Sequence, residues 1–199
     1  MIDRDLLAQL AGFIALFGFV PYVIEILSGK ARPSRVTWWV WSCIGATLCA
    51  SYYSSGGQSS IWVPISYVLG PLTLALLSTR YGSGGWEPLD RVCLIGCAVS
   101  LPLWWLSGSP VVALLMNIVV DSLGAIPSLR KTWIDPASES LAAWLLFLAG
   151  NTLNMATLKN GSLEIVAYPL YLTIVAGVFV LLQLRPNRGY EQREPPHPT

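Results

Sequence analysis

Four landmarks occur twice along this chain, roughly a hundred residues apart. Pro21, Pro33, Trp41 and Pro64 are answered by Pro127, Pro136, Trp144 and Pro169, at offsets of 106, 103, 103 and 105 residues. Both sets lie in strongly apolar sequence, so the chain must fold as two copies of one hydrophobic unit packed together. Such a duplication, with prolines in matching places, is one way to build a membrane carrier whose site lies where the copies meet near mid-bilayer.

Composition fixes the solvent. Hydrophobic residues make up 54% of the 199 positions and charged residues 12%, with a mean hydropathy of +0.57. A soluble domain is about 25% charged, so this balance predicts a chain solvated by lipid. A spanning helix needs about 20 mostly apolar residues, and such runs fall at roughly 6–28, 36–55, 60–79, 90–107, 110–130, 140–158 and 164–184. The expected fold is an all-α membrane protein with seven transmembrane helices. The first run follows Asp3, Arg4 and Asp5 and continues through Gly18 to Pro21 without a cleavage site, which argues for a retained span over a signal peptide. Cys43, Cys49, Cys93 and Cys97 all lie within predicted spans and read as small packing residues.

Basic residues set the orientation. The loops after spans one, three and five and the C-terminal tail hold Lys30, Arg32, Arg35, Arg80, Arg91, Arg130, Lys131, Arg185, Arg188 and Arg193, against Arg4 and Lys159 on the other side. This bias places the N-terminus outside and the C-terminus in the cytoplasm, as a multi-pass protein of the plasma (inner) membrane. The net charge of +1 gives no argument for nucleic-acid binding. Spans one to three and five to seven then share one orientation, with span four as the extra crossing. The expected architecture is a 3+1+3 parallel triple-helix-bundle repeat: residues 1–84, a linker span in 85–109, residues 110–184, and a disordered tail over 185–199.

The segment from Pro21-Tyr22 through Arg32-Pro33-Ser34-Arg35 to Trp38, with its counterpart Pro127-Ser128 through Asp135-Pro136-Ala137-Ser138-Glu139-Ser140, resembles the PQ-loop motif of the SWEET, SemiSWEET and PQ-loop transporter superfamily. The chain departs from that pattern where Tyr22 and Ser128 stand in place of the glutamine. The resemblance covers roughly residues 6–184. It implies alternating access between two triple-helix bundles, with the motif prolines acting in the opening and closing of the pore, and a sugar as the expected solute. The related PnuC group implies a vitamin precursor, and an amino acid is a further candidate.

An internal proline removes one helical hydrogen bond and crowds the preceding turn, so Pro21, Pro64, Pro127 and Pro169 are candidate hinges. Asp121 lies about 11 residues into the fifth run, close to mid-bilayer at about 1.5 Å per residue, where a carboxylate has to face a cavity or a partner. Asn117 is one helical turn earlier on the same face. On the sixth run Trp144, Asn151 and Asn154 share a face, and Trp41 is expected to mirror Trp144 in the first copy. An aromatic wall beside amides suits a small polar solute. Trp62, Trp86, Trp104, Trp105 and Trp133 lie near span ends and read as interfacial anchors. Glu25 and Lys131, four residues after their motif prolines, are a candidate gate pair.

The single histidine is His197, which leaves no His-based metal or haem site, and no phosphate-binding glycine loop or nucleophile elbow occurs. No cofactor, metal or enzymatic activity is expected. The expected partners are a small-molecule solute and the lipid bilayer, the chain acting as a monomer or homo-oligomer. The alternative to a carrier is a structural or regulatory membrane scaffold whose polar residues only join helices.

Overall fold

The computed structural model describes residues 4–54, 62–85, 87–107, 110–158 and 163–186. Among the described residues the regular elements are helices, with one isolated bridge between Ser34 and Ser83. The helices are α1 (Arg4–Phe17), α2 (Phe19–Leu27), α3 (Arg35–Ser54), α4 (Trp62–Tyr81), α5 (Pro88–Ser107), α6 (Pro110–Ile134), α7 (Leu141–Thr157) and α8 (Leu163–Gln183), with a 3-10 turn at Pro136–Ser138. α1 and α2 make one apolar rod, so the described residues form seven rods, matching the seven apolar runs of the sequence. Two stretches, Leu6–Leu27 and Val166–Gln183, are long and apolar enough to cross a bilayer.

The rods close into a ring. In order around it, the α1–α2 rod packs on α4, α4 on α3, α3 on α6, α6 on α8, α8 on α7, and α7 back on α1 and α2. α5 stands outside, against α6 and the edge of α3. Each copy therefore orders its rods first, third, second, and the copies meet twice, where the first rod of each touches the second rod of the other.

The structure also settles the register of the repeat. Ser34 and Ser140 cap α3 and α7 through their hydroxyls, accepting from the amides of Thr37 at 3.4 Å and Ala143 at 3.3 Å. Trp38 and Trp144 each stand four residues after that serine, donating their backbone amides to its carbonyl. Both intervals are 106 residues, the offset of Pro21 and Pro127. Trp144 thus answers Trp38, and the counterpart of Trp41 is Phe147, a correction to the pairing expected from Pro33 and Pro136. The connection between first and second rods is not conserved in length on each side of its proline, which is why those prolines misled.

The same 106 holds at the two seams. Gly18 lies under the Phe147 ring, where an added Cβ would sit 2.6 Å from the ring edge, and Gly124 lies under Val40 and Trp41, with Val40 Cγ1 at 2.8 Å. Both glycines permit a close approach that any side chain would prevent. A third, Gly150, would place a Cβ 2.9 Å from the Ala11 carbonyl of α1. Both copies therefore carry Gly-x-x-Pro, Gly18 to Pro21 and Gly124 to Pro127. Pro21 has no amide for the Phe17 carbonyl, and the rod is interrupted at Gly18. Pro127 withholds the same bond from Leu123, but α6 runs on through it. Pro169 is inside α8, whereas Pro64 stands in the first turn of α4, where a proline breaks nothing; the proline inside α4 is Pro71, and the helix runs on through it.

Candidate functional site

The ring interior is lined from α6, α3 and α7. Around α6, at about 100° per residue, Gly124 faces Val40 and Trp41 of α3, Ser122 bonds Tyr171 of α8, and Leu123 covers Gly96 of α5. Asp121 and Asn117 occupy the sector between α3 and α8 opposite α5, which is the inside of the ring. Ser128 and Thr132, both buried, extend that stripe by about three turns. On α7, Gly150 and Phe147 face α1 and the α1–α2 junction, while Trp144 stacks on Phe179 of α8. Asn151 falls between them and faces inward, whereas Asn154 is rotated toward α1.

Asp121 is 5% exposed. The hydroxyls of Tyr168 and Tyr171 on α8 supply the polar groups beside its carboxylate, and Ser122 Oγ lies 3.2 Å from the Tyr171 hydroxyl. Oδ2 has no hydrogen-bond partner, and among the described residues no cation pairs with it. Trp41 donates its indole N–H to the Asp121 backbone carbonyl at 3.3 Å, which brings that ring to the carboxylate's level. Trp41 meets Trp38 edge-on at 5.0 Å and Trp144 at 6.2 Å between centroids. Trp144 lies parallel to Phe179 at 3.7 Å and edge-on to Phe147 at 5.5 Å. Phe19 and Tyr22 complete the file against Trp38, at 6.2 and 5.3 Å. Trp41 and Trp144 are thus in one aromatic file joining the two copies, with Asp121, Asn117 and Asn151 on the same interior.

No protein-family model, curated protein or solved structure matches this chain.

At the end where the basic loops gather, a second cluster closes the interior. Glu139, just before the cap of α7, has a side chain with no exposure and pairs with Lys131 at 2.6 Å. Its Oε2 accepts from the Trp144 indole at 3.1 Å and from the Tyr22 hydroxyl of the first copy. Lys131 also donates to the carbonyls of Ser138 and Arg32, and the Arg32 amide donates to the Ser138 carbonyl at 2.8 Å. One carboxylate therefore ties α2, α6, α7 and the α2–α3 connection. Lys131 is committed to this group, so the expected gate pair with Glu25 does not form: the turn at Pro136–Ser138 folds Glu139 back over Lys131. Glu25 offers its carbonyl to the amides of Lys30 and Ala31 instead, closing the turn after α2 in which Gly29 has a φ of 74°, a value that favours glycine.

Outside this cluster lies an open cleft of about 270 Å³, lined by Arg32, Ser83, Asp90, Pro127, Arg130 and Lys131 among others. Arg35 braces its wall through the carbonyls of Ser78 at 3.0 Å and Gly84 at 2.6 Å, and Arg130 pairs with Glu87 at 2.5 Å across its rim. Sequence reasoning missed Glu139 as a functional residue. The available signal was its place beside the Ser140 cap, five residues before Trp144.

Proposed function

We propose that this protein is a membrane carrier that passes a small polar solute through the ring interior by alternating access between its two three-rod copies. The ring itself is the observation that carries this reading. Two copies meeting through two equivalent close seams, Gly18 under Phe147 and Gly124 under Trp41, can rock about those seams without repacking either copy, and the polar stripe and aromatic file lie between them. The Glu139 cluster closes one end of that interior.

Several features support a bilayer setting. Val92, Ile95 and Val99 give α5 an outward apolar face, exposed by 55 to 63%, and Phe13, Phe17, Ile24 and Leu181 do the same elsewhere on the ring. Patches of this size on a water-soluble protein would be a liability. The loops with Arg32, Arg35, Arg80, Arg91 and Arg130, joined by Arg185 on the Trp133 ring at 4.2 Å, gather at one end, which under the positive-inside rule is the cytoplasmic one. The tail beyond 186, with Arg188 and Arg193, Lys159, Trp86 and the side chains of Trp62, Trp104 and Trp105 lie outside the described residues.

Solute counterflow in proteoliposomes tests the reading. The expected outcome is saturable exchange of a labelled solute that is lost in Trp144→Ala while the variant still purifies as a folded protein. A wild-type chain that folds in vesicles and exchanges no sugar, amine, nucleoside or amino acid would instead be a scaffold.

A further inference from the structure

The charge balance of the interior is one-sided. Asp121 presents a buried carboxylate with an unpartnered Oδ2 into the ring, and the groups around it, Tyr168, Tyr171, Ser122 and the Trp41 indole, are all neutral. Among the described residues no cation pairs with Asp121, and Lys131 at the basic end is already paired with Glu139. The matching place in the first copy, 106 residues earlier, is Ala15, so no second charged residue answers Asp121 across the ring.

From this we infer that the Asp121 site takes a small organic cation of the ammonium class, the inference resting on the carrier reading for the identity of its ring interior. An anionic solute would be repelled at a desolvated carboxylate, and a neutral polyol would leave its charge unanswered in a low dielectric. An ammonium supplies the missing charge at Oδ2, beside the stacked rings of Tyr168 and Tyr171, whose centroids are 6.0 Å apart, and the indole N–H edge of Trp41. By helical phase Asn117 lies on the Asp121 side of α6 and Asn151 on the Trp144 side of α7, where their amides can bond a hydroxyl or amide on the rest of the solute. Among the described residues Glu139 is already paired with Lys131, which leaves Asp121 as the carboxylate open to a cation and gives one cation per molecule.

The test uses the full chain in detergent. Thermal unfolding is followed with tetramethylammonium, choline, agmatine and lysine methyl ester, with 3,3-dimethylbutanol as the neutral isostere of choline, and with sodium chloride alone. Saturable stabilisation by at least one ammonium compound and none by the isostere or by sodium is expected. Asp121→Asn should raise the apparent Kd on the order of tenfold or more, the scale of one lost charge contact, and Asp121→Glu should retain part of the binding. If Asp121→Asn does not fold, the wild-type comparison of choline with its isostere still decides. Stabilisation by sodium alone, or equal stabilisation by the isostere, overturns the assignment. Counterflow separates this from the carrier reading. Saturable glucose exchange in vesicles without ammonium binding overturns the cation site and leaves the carrier. Asp121-dependent ammonium binding without exchange of any solute keeps the site and overturns the carrier, and absence of both overturns both.

Discussion

The Glu139 side chain has no exposure, so its three partners, Lys131, Tyr22 and Trp144, carry the cost of burying that carboxylate between them. Removing the carboxylate would leave Lys131 only carbonyls to bond and strip the Tyr22 hydroxyl and Trp144 indole of their acceptor. Glu139→Ala is therefore expected to lower stability by about 3–5 kcal/mol, the cost of breaking a buried pair on one side. Glu139→Leu with Lys131→Met should cost less than Glu139→Ala alone, because no orphaned charge remains. Tyr22→Phe, which removes one charge-assisted bond, should cost about 2 kcal/mol. Unfolding in detergent with a denaturant measures all three, and a Glu139→Ala variant as stable as the wild type would mean that the pair is not formed. The residue scale is also where the sequence was least legible. Asp121 could be placed inside the ring from its depth and from the price of an unsolvated carboxylate, because both are properties of its own helix. Glu139 could not be found, because its partners lie five, eight and 117 residues away and a short 3-10 turn brings them together.

At the scale of elements, the two Gly-x-x-Pro segments are chemically alike but differ in form: the first rod is interrupted at Gly18 while α6 continues through Pro127. The matched glycines, Gly18 and Gly124, fix how near each first rod lies to the opposing second rod and would strike mainly side chains there, unlike the unmatched Gly150. At Gly150 a Cβ would meet the backbone of α1, with the Ala11 carbonyl and Ala15 amide both at 2.9 Å, whereas at Gly18 it would meet mainly the Phe147 ring. Gly150→Ala is therefore expected to force α1 and α7 apart and cost about 1–3 kcal/mol, a loss that no single side-chain truncation recovers. Gly18→Ala should be largely relieved by Phe147→Leu, and the double-mutant cycle should report a coupling of about 1 kcal/mol. Additive losses in that cycle would place the ring elsewhere than over Gly18. Helix positions were readable because apolar runs end at the prolines, glycines and charged loops that punctuate them. The register of the repeat was not, since Trp, Phe and Tyr are interchangeable as ring-sized fillers; only the serine caps of α3 and α7 fix which tryptophan answers which.

For the whole molecule, a ring whose copies touch at two seams has an interior reachable only by parting one end, and the basic end is held shut by groups from both copies. Ser128 reports on that closure. It lies on the inner stripe of α6 one residue after Pro127 and is 1% exposed, at the position where the first copy has Tyr22, the residue that bonds Glu139. In a chain whose native cysteines at 43, 49, 93 and 97 are replaced by alanine, Ser128→Cys should react slowly with a membrane-impermeant maleimide added from the side of the basic loops. Adding Glu139→Gln discharges the pair with Lys131 while keeping the side chain's size, and Tyr22→Phe removes the remaining tie to the first copy. Each should speed labelling from that side several-fold, and both together should do so by more than either alone, because a lid held by parallel bonds opens at a rate set by those that remain. A thiol that reacts equally fast before and after these changes would show that the two copies are held together by the seams alone. Labelling faster in the variants from the opposite side would reverse the assignment of which end Glu139 closes, and with it the side from which the proposed carrier would first admit a solute to Asp121.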